Sequence, residues 1–476
     1  MEQTNTSLTW IQRASLFAGP AIFVYCAYGL GLDAAQGKVV GAVAWMLLWW
    51  VSEVIPMAVT ALIPIILFPL AGVMPMEETC LSYSNRFVFL FLGGFLLALG
   101  MEKWQLHRRI AMAVVRTTGT SANRIILGFL LATYFISMWI SNTATALMMF
   151  PIATSVLTLL VNERKDKSHR NFATALMLSI AYGASIGGIA TLVGSPPNAS
   201  MAGIMSKSFD IQISFLEWMK WGLPFSVVLL AGVYLLMVYV LFPNRLGSFS
   251  MGKEVIDAEW RLLGSVTSAQ RRVFVAFIAA AVLWIVQDPV ASLLKPYGAE
   301  WTDTTIAMCI GCSLFLVPSG KGGALLDWRD TERLPWGILL MFGGGMSLAK
   351  AFEHTGLIKV LTGNLSLMSD VPPFQVMLLM CAAGLLLTAL ISNIAMVNAF
   401  VPIVAAAAIG LGIDPVACVI PVTMAASCDF MFPMSTPPNA IVYSSGYIRS
   451  GDMLKGGLLL NVLSFMLLAA LVAIAG

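Results

Sequence analysis

Apolar stretches of about 17 residues or more follow one another from about residue 14 to the C-terminus, each long enough to cross a hydrocarbon layer about 30 Å thick. A backbone in lipid must satisfy its own amides and carbonyls, so such a chain folds as packed helices or as a closed barrel. Runs of this length without alternation read as helices. Composition agrees: 59% hydrophobic and 11% charged residues over 476 positions describe an all-α polytopic membrane protein rather than a soluble core. The net charge of +3 gives no reason to expect nucleic acid or another acidic polymer as a partner. The seven cysteines stand singly in apolar segments, except Cys309 and Cys312, which lie together in a probable span, and His107, His169 and His354 lie in or near polar connections rather than clustered with acids, which argues against a metal centre and a catalytic constellation.

Hydropathy and helix breaks place eleven spans near 14–32, 39–54, 56–73, 86–103, 172–208, 220–242, 272–288, 302–317, 336–362, 415–448 and 456–475. The first follows a weak leader carrying Glu2 and Arg13, so it reads as a retained span rather than a cleaved signal. Two further stretches, 124–161 and 372–411, read either as re-entrant hairpins or as pairs of full spans, and the parity is the same either way. With the N-terminus inside, twenty of the 27 Lys and Arg fall on the cytoplasmic side. The other side keeps Lys38, Arg86, Lys207, Lys220, Lys295, Lys350 and Lys359. Positive charge thus predicts a multi-pass protein of the cell (inner) membrane with a cytoplasmic N-terminus and an exterior or periplasmic C-terminus.

Polar phrases recur inside this apolar sequence. Ser141-Asn142-Thr143 precedes Gly194-Ser195-Pro196-Pro197-Asn198, and Ser392-Asn393-Ile394 precedes Ser435-Thr436-Pro437-Pro438-Asn439. Gly93-Gly94 and Gly343-Gly344 are 250 residues apart, Asn142 and Asn393 are 251 apart, and the Pro-Pro-Asn phrases are 241 apart. These offsets predict an internal repeat, joined through the polar connection 243–271, which reads as a helix lying along the cytoplasmic interface. In the topology above the two copies run in opposite directions, as inverted repeats, an arrangement that lets one site face either side of a membrane.

Each Pro-Pro pair should interrupt its helix, since proline lacks an amide hydrogen and clashes with the preceding turn. The broken ends present carbonyls that can hold a cation and amides that favour an anion. The Ser-Asn phrases read as hairpin turns whose hydroxyls and amides can meet a carboxylate or another oxyanion, with carbonyls nearby for a hard cation such as sodium. A single break is as well explained as a kink whose asparagine satisfies the freed backbone. Four phrases at matched offsets are not. No Lys or Arg belongs to any of them, so the charge of an anion must be offset by co-bound cations and helix N-termini, which predicts cation symport.

The Ser-Asn and Pro-Pro-Asn motifs, with Ser52-Glu53-Val54-Ile55-Pro56 and Ala440-Ile441-Val442, together resemble the divalent anion/sodium symporter family over nearly the whole chain. Its members carry di- and tricarboxylates and sulfate. The resemblance implies eleven spans plus an inward-opening and an outward-opening hairpin, a homodimer, and an elevator movement of a transport domain against a scaffold. It divides the chain into scaffold helices 1–4 (1–123), a first transport part with hairpin, broken helix 5 and helix 6 (124–242), the linker (243–271), scaffold helices 7–9 (272–371) and a second transport part with hairpin, broken helix 10 and helix 11 (372–476). It assigns Ser137, Ser141, Asn142 and Gly194 to a first sodium site, and Thr388, Asn393 and Ser435 to a second. Substrate oxygens would meet Asn142, Thr143, Ser195, Ser392, Asn393, Thr436 and Pro437. One position departs from the pattern: Ile394 stands where the family motif has Thr, and a lost hydrogen bond to a charged group costs about 1.5–3 kcal/mol, enough to change substrate preference.

Three further polar residues stand out. Asp429, six residues before Ser435, lies in apolar sequence and must face protein, water or a cation, either as a partnered carboxylate beside a cavity or as a modulator of the second cation site or carrier of a coupling proton. Asn398 reads as a helix-packing hydrogen bond and Glu53 as a structural cap. The expected function is sodium-coupled uptake of C4-dicarboxylates (succinate, malate, fumarate) without a cofactor other than the coupling ion. A sodium-independent dicarboxylate exchanger and a symporter of sulfate or another oxyanion are the alternatives. An intramembrane hydrolase lacks a nucleophile paired with a base, and a channel or sodium/proton antiporter leaves the paired anion-binding turns without a purpose.

Overall fold

A computed structural model describes residues 9–475 except 30, 32, 162–165, 245, 248–249, 359, 361–371 and 390. Glu2, Arg164, Lys165, Arg245, Lys359 and the end of the span expected at 336–362 lie outside the described residues. The described residues form helices and no strand. The principal helices are α1 (Trp10–Gly29), α2 (Ala34–Ser52), α3 (Ile63–Ala71), α4 (Arg86–Lys103), α5 (Leu106–Thr118), α6 (Ala122–Ser137), α7 (Asn142–Val161), α8 (Lys167–Ala190), α9 (Pro196–Ser208) and α10 (Phe215–Leu235). They continue as α11 (Ser250–Leu262), α12 (Ser268–Ile285), α13 (Asp303–Ser313), α14 (Trp336–His354), α15 (Pro373–Thr388), α16 (Asn393–Gly410), α17 (Pro415–Ala426), α18 (Pro437–Tyr443) and α19 (Ser450–Ala475). Among the described residues, seven helical stretches are long and apolar enough to cross a membrane: Ala34–Ser52, Met76–Lys103, Lys167–Ala190, Phe215–Leu241, Ser268–Ile285, Asn393–Gly410 and Ser450–Ile474.

Helix starts follow local chemistry. Asn85 accepts a hydrogen bond from the Phe87 amide and Asp166 from the His169 amide, while Ser214 with Glu217 and Thr267 with Gln270 form reciprocal capping pairs. Proline occupies the first turn of α9, α15, α17 and α18, where its missing amide costs nothing. The span expected at 56–73 is a short turn, Met57–Thr60, followed by α3, and the one expected at 302–317 is the eleven-residue α13. Each expected hairpin stretch is a pair of helices, α6 with α7 and α15 with α16, meeting at a Ser-Asn phrase.

Every residue of α8 from Asn171 to Ala190 is buried, so this helix has no face left for lipid. It packs against α6, α7, α10 and α18. Its counterpart α17 packs against α15, α16, α19 and α9. Shifted by the sequence offset, the two neighbour sets correspond helix for helix. The short helix after each Pro-Pro pair crosses over: α18 lies on α7, and α9 lies on α16. Glycine permits the closest crossings, since a methyl group at Gly93 would meet the Ala307 backbone at 2.5 Å and one at Gly344 the Ala61 carbonyl oxygen at 2.6 Å. A second apolar cluster, around Val39, Met46, Trp50, Phe68 and Met341, joins α2, α3 and α14.

The connection between the copies is pinned to the first one. Arg108 pairs with Glu259 and Arg116 with Asp257, both at 2.8 Å, and Arg109 donates to the carbonyls of Leu263 (2.7 Å) and Gly264 (2.9 Å) and to Gln270 Oε1 (3.1 Å). Helix α11 thereby lies along α5 and also touches α7.

Candidate functional site

The first hairpin turn is built from the end of α6 and the start of α7. Ser137 is buried and donates to Asn142 Oδ1 at 2.6 Å, and Ser141 Oγ accepts the Ala144 amide at 3.3 Å. Thr143, in the first turn of α7, is partly exposed. Helix α8 ends at Ala190 and α9 starts at Pro196, the interruption that the proline pair demands. Asn198 holds this joint together, its amide donating to the Gly188 carbonyl (2.9 Å) and the Thr191 carbonyl (2.8 Å). A methyl group at Gly188 would lie 2.7 Å from Asn142 Oδ1 and 3.1 Å from Ser195 Cβ. One at Gly194 would lie 2.9 Å and 3.0 Å from the Gly188 and Met138 carbonyl oxygens. Ser137, Asn142, Gly194 and Ser195 are therefore one cluster rich in oxygen. Ser195 precedes α9 as its N-cap without making a capping bond, and it is buried.

The second copy repeats the arrangement with different residues. Thr388 Oγ1 shares its one hydrogen between the Ala426 carbonyl at 2.6 Å and Asn393 Oδ1 at 2.9 Å, tying the turn to the end of α17. Ser392 Oγ accepts the Ala395 amide at 3.3 Å, as Ser141 does in the first copy. Asn439 donates to the Asp429 carbonyl (3.2 Å) and the Phe432 carbonyl (3.1 Å), the same ten- and seven-residue steps back that Asn198 makes. Ser435 donates to the Phe432 carbonyl at 2.7 Å and accepts from Asn439 at 3.3 Å. Thr436 caps α18 through the Asn439 amide, and Pro437 is exposed. Because α18 lies on α7 and α9 on α16, each copy's joint meets the other copy's turn helix.

Sequence reasoning passed over Gly188, Thr191 and the Met138 carbonyl: Gly188 closes the first cluster by its carbonyl and its lack of a side chain, and the Thr191 hydroxyl donates to the Met138 carbonyl at 2.5 Å and accepts the Gly194 amide at 3.0 Å. The steps of ten and seven residues back from each Asn are the signal that points to Gly188 and Thr191. Asn398 is a packing node: its amide donates to the Met341 carbonyl at 3.0 Å and its oxygen accepts from Ser200, joining α16, α14 and α9. Glu53 terminates α2 in a left-handed conformation, φ 48°, and is exposed. No ion pair among the described residues reaches the four phrases. A cavity of about 510 Å³ bordered by Lys207, Asp210, Glu353 and Ile409 lies away from them.

Comparison with known proteins places this all-helical, multi-pass membrane protein with its duplicated polar joints among the transporters. Residues 7–475 match the family described as the sodium:sulfate symporter transmembrane region, and the chain belongs to that family. It is 37% identical over 483 aligned positions to a sodium-dependent dicarboxylate transporter, SdcS, of Staphylococcus saprophyticus, covering 99% of this chain and 92% of the relative. With SdcS of Staphylococcus aureus strain USA300 it shares 36% identity, covering 97% and 90%. In fold it is similar to the YdaH transporter of Alcanivorax borkumensis, at a TM-score of 0.56 and 13% identity over 98% of this chain and 96% of that one. The Neisseria gonorrhoeae MtrF structure gives a TM-score of 0.56 at 12% identity over 95% and 96%.

Proposed function

We propose that this protein is a secondary active transporter that carries C4-dicarboxylates of the succinate, malate and fumarate class into the cell together with sodium. The observation that carries the reading is the duplicated turn, with Asn142 Oδ1 held by Ser137 at 2.6 Å and Asn393 Oδ1 held by Thr388 at 2.9 Å. Each turn supplies neutral oxygens suited to sodium. The N-termini of α7, α9 and α16 begin at or beside the phrases and favour a carboxylate. With no basic side chain in the phrases, the dianion is neutralised by the cations that travel with it, which makes its affinity depend on theirs. The dicarboxylate specificity of the staphylococcal relatives supports the choice of substrate.

In this reading Ser137, Ser141, Asn142 and Gly194 hold one sodium, and Thr388, Asn393 and Ser435 hold the other. Asn142, Thr143, Ser195, Ser392, Asn393, Thr436 and Pro437 contact the solute. Eleven spans and two re-entrant hairpins form two inverted repeats, with a cytoplasmic N-terminus and an exterior or periplasmic C-terminus. The parts 124–242 and 372–476 move as an elevator against scaffold parts 1–123 and 272–371 of a homodimer in the lipid bilayer, with 243–271 as the linker.

Purified protein in liposomes, given labelled succinate under an inward sodium gradient, should accumulate it above equilibrium and cease to do so when choline replaces sodium. Asn142→Ala should reduce that uptake by at least about tenfold. Succinate counterflow that proceeds without sodium would assign exchange instead, and sodium-driven sulfate uptake without succinate competition would assign an inorganic oxyanion.

A further inference from the structure

The two joints are unequal. The first interrupts the helix for five residues, Thr191–Ser195, and the second for ten, Ser427–Thr436. The matching asparagine bonds align Gly188 with Asp429, so the first joint has a hydrogen atom where the second has a carboxylate. Asp429 is fully buried, and neither of its oxygens has a hydrogen-bond partner among the described residues. Two more buried oxygens nearby, Ser427 Oγ and Asn439 Oδ1, are also without a partner. Ser435 lies beside the carboxylate but gives its hydrogen to Phe432. The Asn439 amide is spent on the carbonyls of Asp429 and Phe432, and the Ser427 hydroxyl, two residues away, makes no bond to the carboxylate. No ion pair among the described residues involves Asp429. A buried charge without compensation is among the costliest arrangements a protein can hold, and a set of ligands made of oxygen atoms suits a hard cation.

We propose that Asp429 is an anionic ligand for the monovalent cation seated in the second joint, with Asn439 Oδ1 and the Ser435 hydroxyl joining the Thr388 and Asn393 oxygens as the neutral part of the site. This rests on the transport reading above for the identity of the ion, sodium. The second copy then grips its cation through a fixed charge and does so before any dianion arrives, whereas the first copy offers neutral oxygens alone. A cation held this way cancels the protein's own charge, so the solute's charge is met by the cation of the first joint together with the helix N-termini beside the phrases. The two cation sites are consequently filled in order, the second joint first.

The test uses the full chain in lipid nanodiscs without any dianion, with choline chloride holding the ionic strength constant. Equilibrium binding of radioactive sodium and the rise of melting temperature with sodium are both read. Saturable sodium binding is expected in the parent, and Asp429→Asn should raise the half-saturating concentration by at least about tenfold. An unchanged sodium titration in Asp429→Asn overturns the site, and so does a parent that binds no sodium until dianion is added. If Asp429→Asn does not elute as a single species, Asp429→Ser decides in its place. It removes the charge and keeps a small polar group, so half-saturation should rise by about tenfold or more, and an unchanged value overturns the site. Sodium binding that depends on Asp429 in a protein that fails to move succinate would sink the transport reading and leave this site standing.

Discussion

Ile394 follows Asn393 as Thr143 follows Asn142, but its surroundings are apolar. It is partly buried against the cluster that includes Val39, Trp50 and Met341. Its methyl groups therefore have packing work that a threonine would do less well. Ile394→Thr is expected to lower stability by about 1 kcal/mol, seen as a fall in melting temperature, while the KM for succinate stays within about threefold of the parent. A gain in affinity of tenfold or more would show that the hydroxyl missing at this turn had limited binding. The asparagines and serines of the phrases were legible in sequence because polar groups inside apolar runs need a reason. Gly188 was harder to see, since a carbonyl is common to every residue and only its distance of ten residues from Asn198 singles this glycine out. Asp429 was visible as an oddity, but its lack of a partner depends on where the donors around it point.

At the scale of elements, the docking of α11 on α5 stands on Arg109, whose planar guanidinium serves the carbonyls of Leu263 and Gly264 and the Gln270 side chain together. Lysine cannot reproduce that fork. Arg109→Lys should cost about 1.5–3 kcal/mol, measured by thermal unfolding. His107 in the same helix is buried, with Nδ1 against the Met101 carbonyl at 2.9 Å. Burial, with the Arg108 cation adding to it, holds this imidazole below its ordinary value of 6.5, against the opposing effect of the Met101 bond. The folded state thus favours neutral His107, and its contribution is present above about pH 6.5 and lost as the pH falls below it. The melting temperature of the parent should drop more steeply between about pH 7 and 5 than that of His107→Gln, and equal slopes would refute the assignment. The linker helix itself was readable from its polar composition, whereas its partner was not, because ion pairs between distant segments leave no periodic trace. The shortness of α13 was likewise hidden: it runs from the Thr302 cap to Ser313 and gains its support by crossing α4 at Gly93.

For the whole molecule, the matched neighbours of α8 and α17 extend the repeat read from offsets of 241 to 251 residues into packing. Offsets suggest two copies, but the exchange of α9 and α18 between them is a matter of packing and leaves no mark on the spacing. Asn398 couples this core to α14, a scaffold helix in the proposed mechanism, through the Met341 carbonyl. If the transport parts slide, that bond breaks in every cycle. Asn398→Ala should change the maximal uptake rate by at least about fivefold while leaving the KM for succinate at saturating sodium within about threefold. A changed KM with an unchanged rate would place Asn398 at the solute instead. The ten-residue gap between α17 and α18 adds a mechanical consequence. The longer interruption leaves more backbone outside helical hydrogen bonding, and a core that bends under load will open there first, so deuterium should enter the backbone at 427–436 before it enters at 191–195.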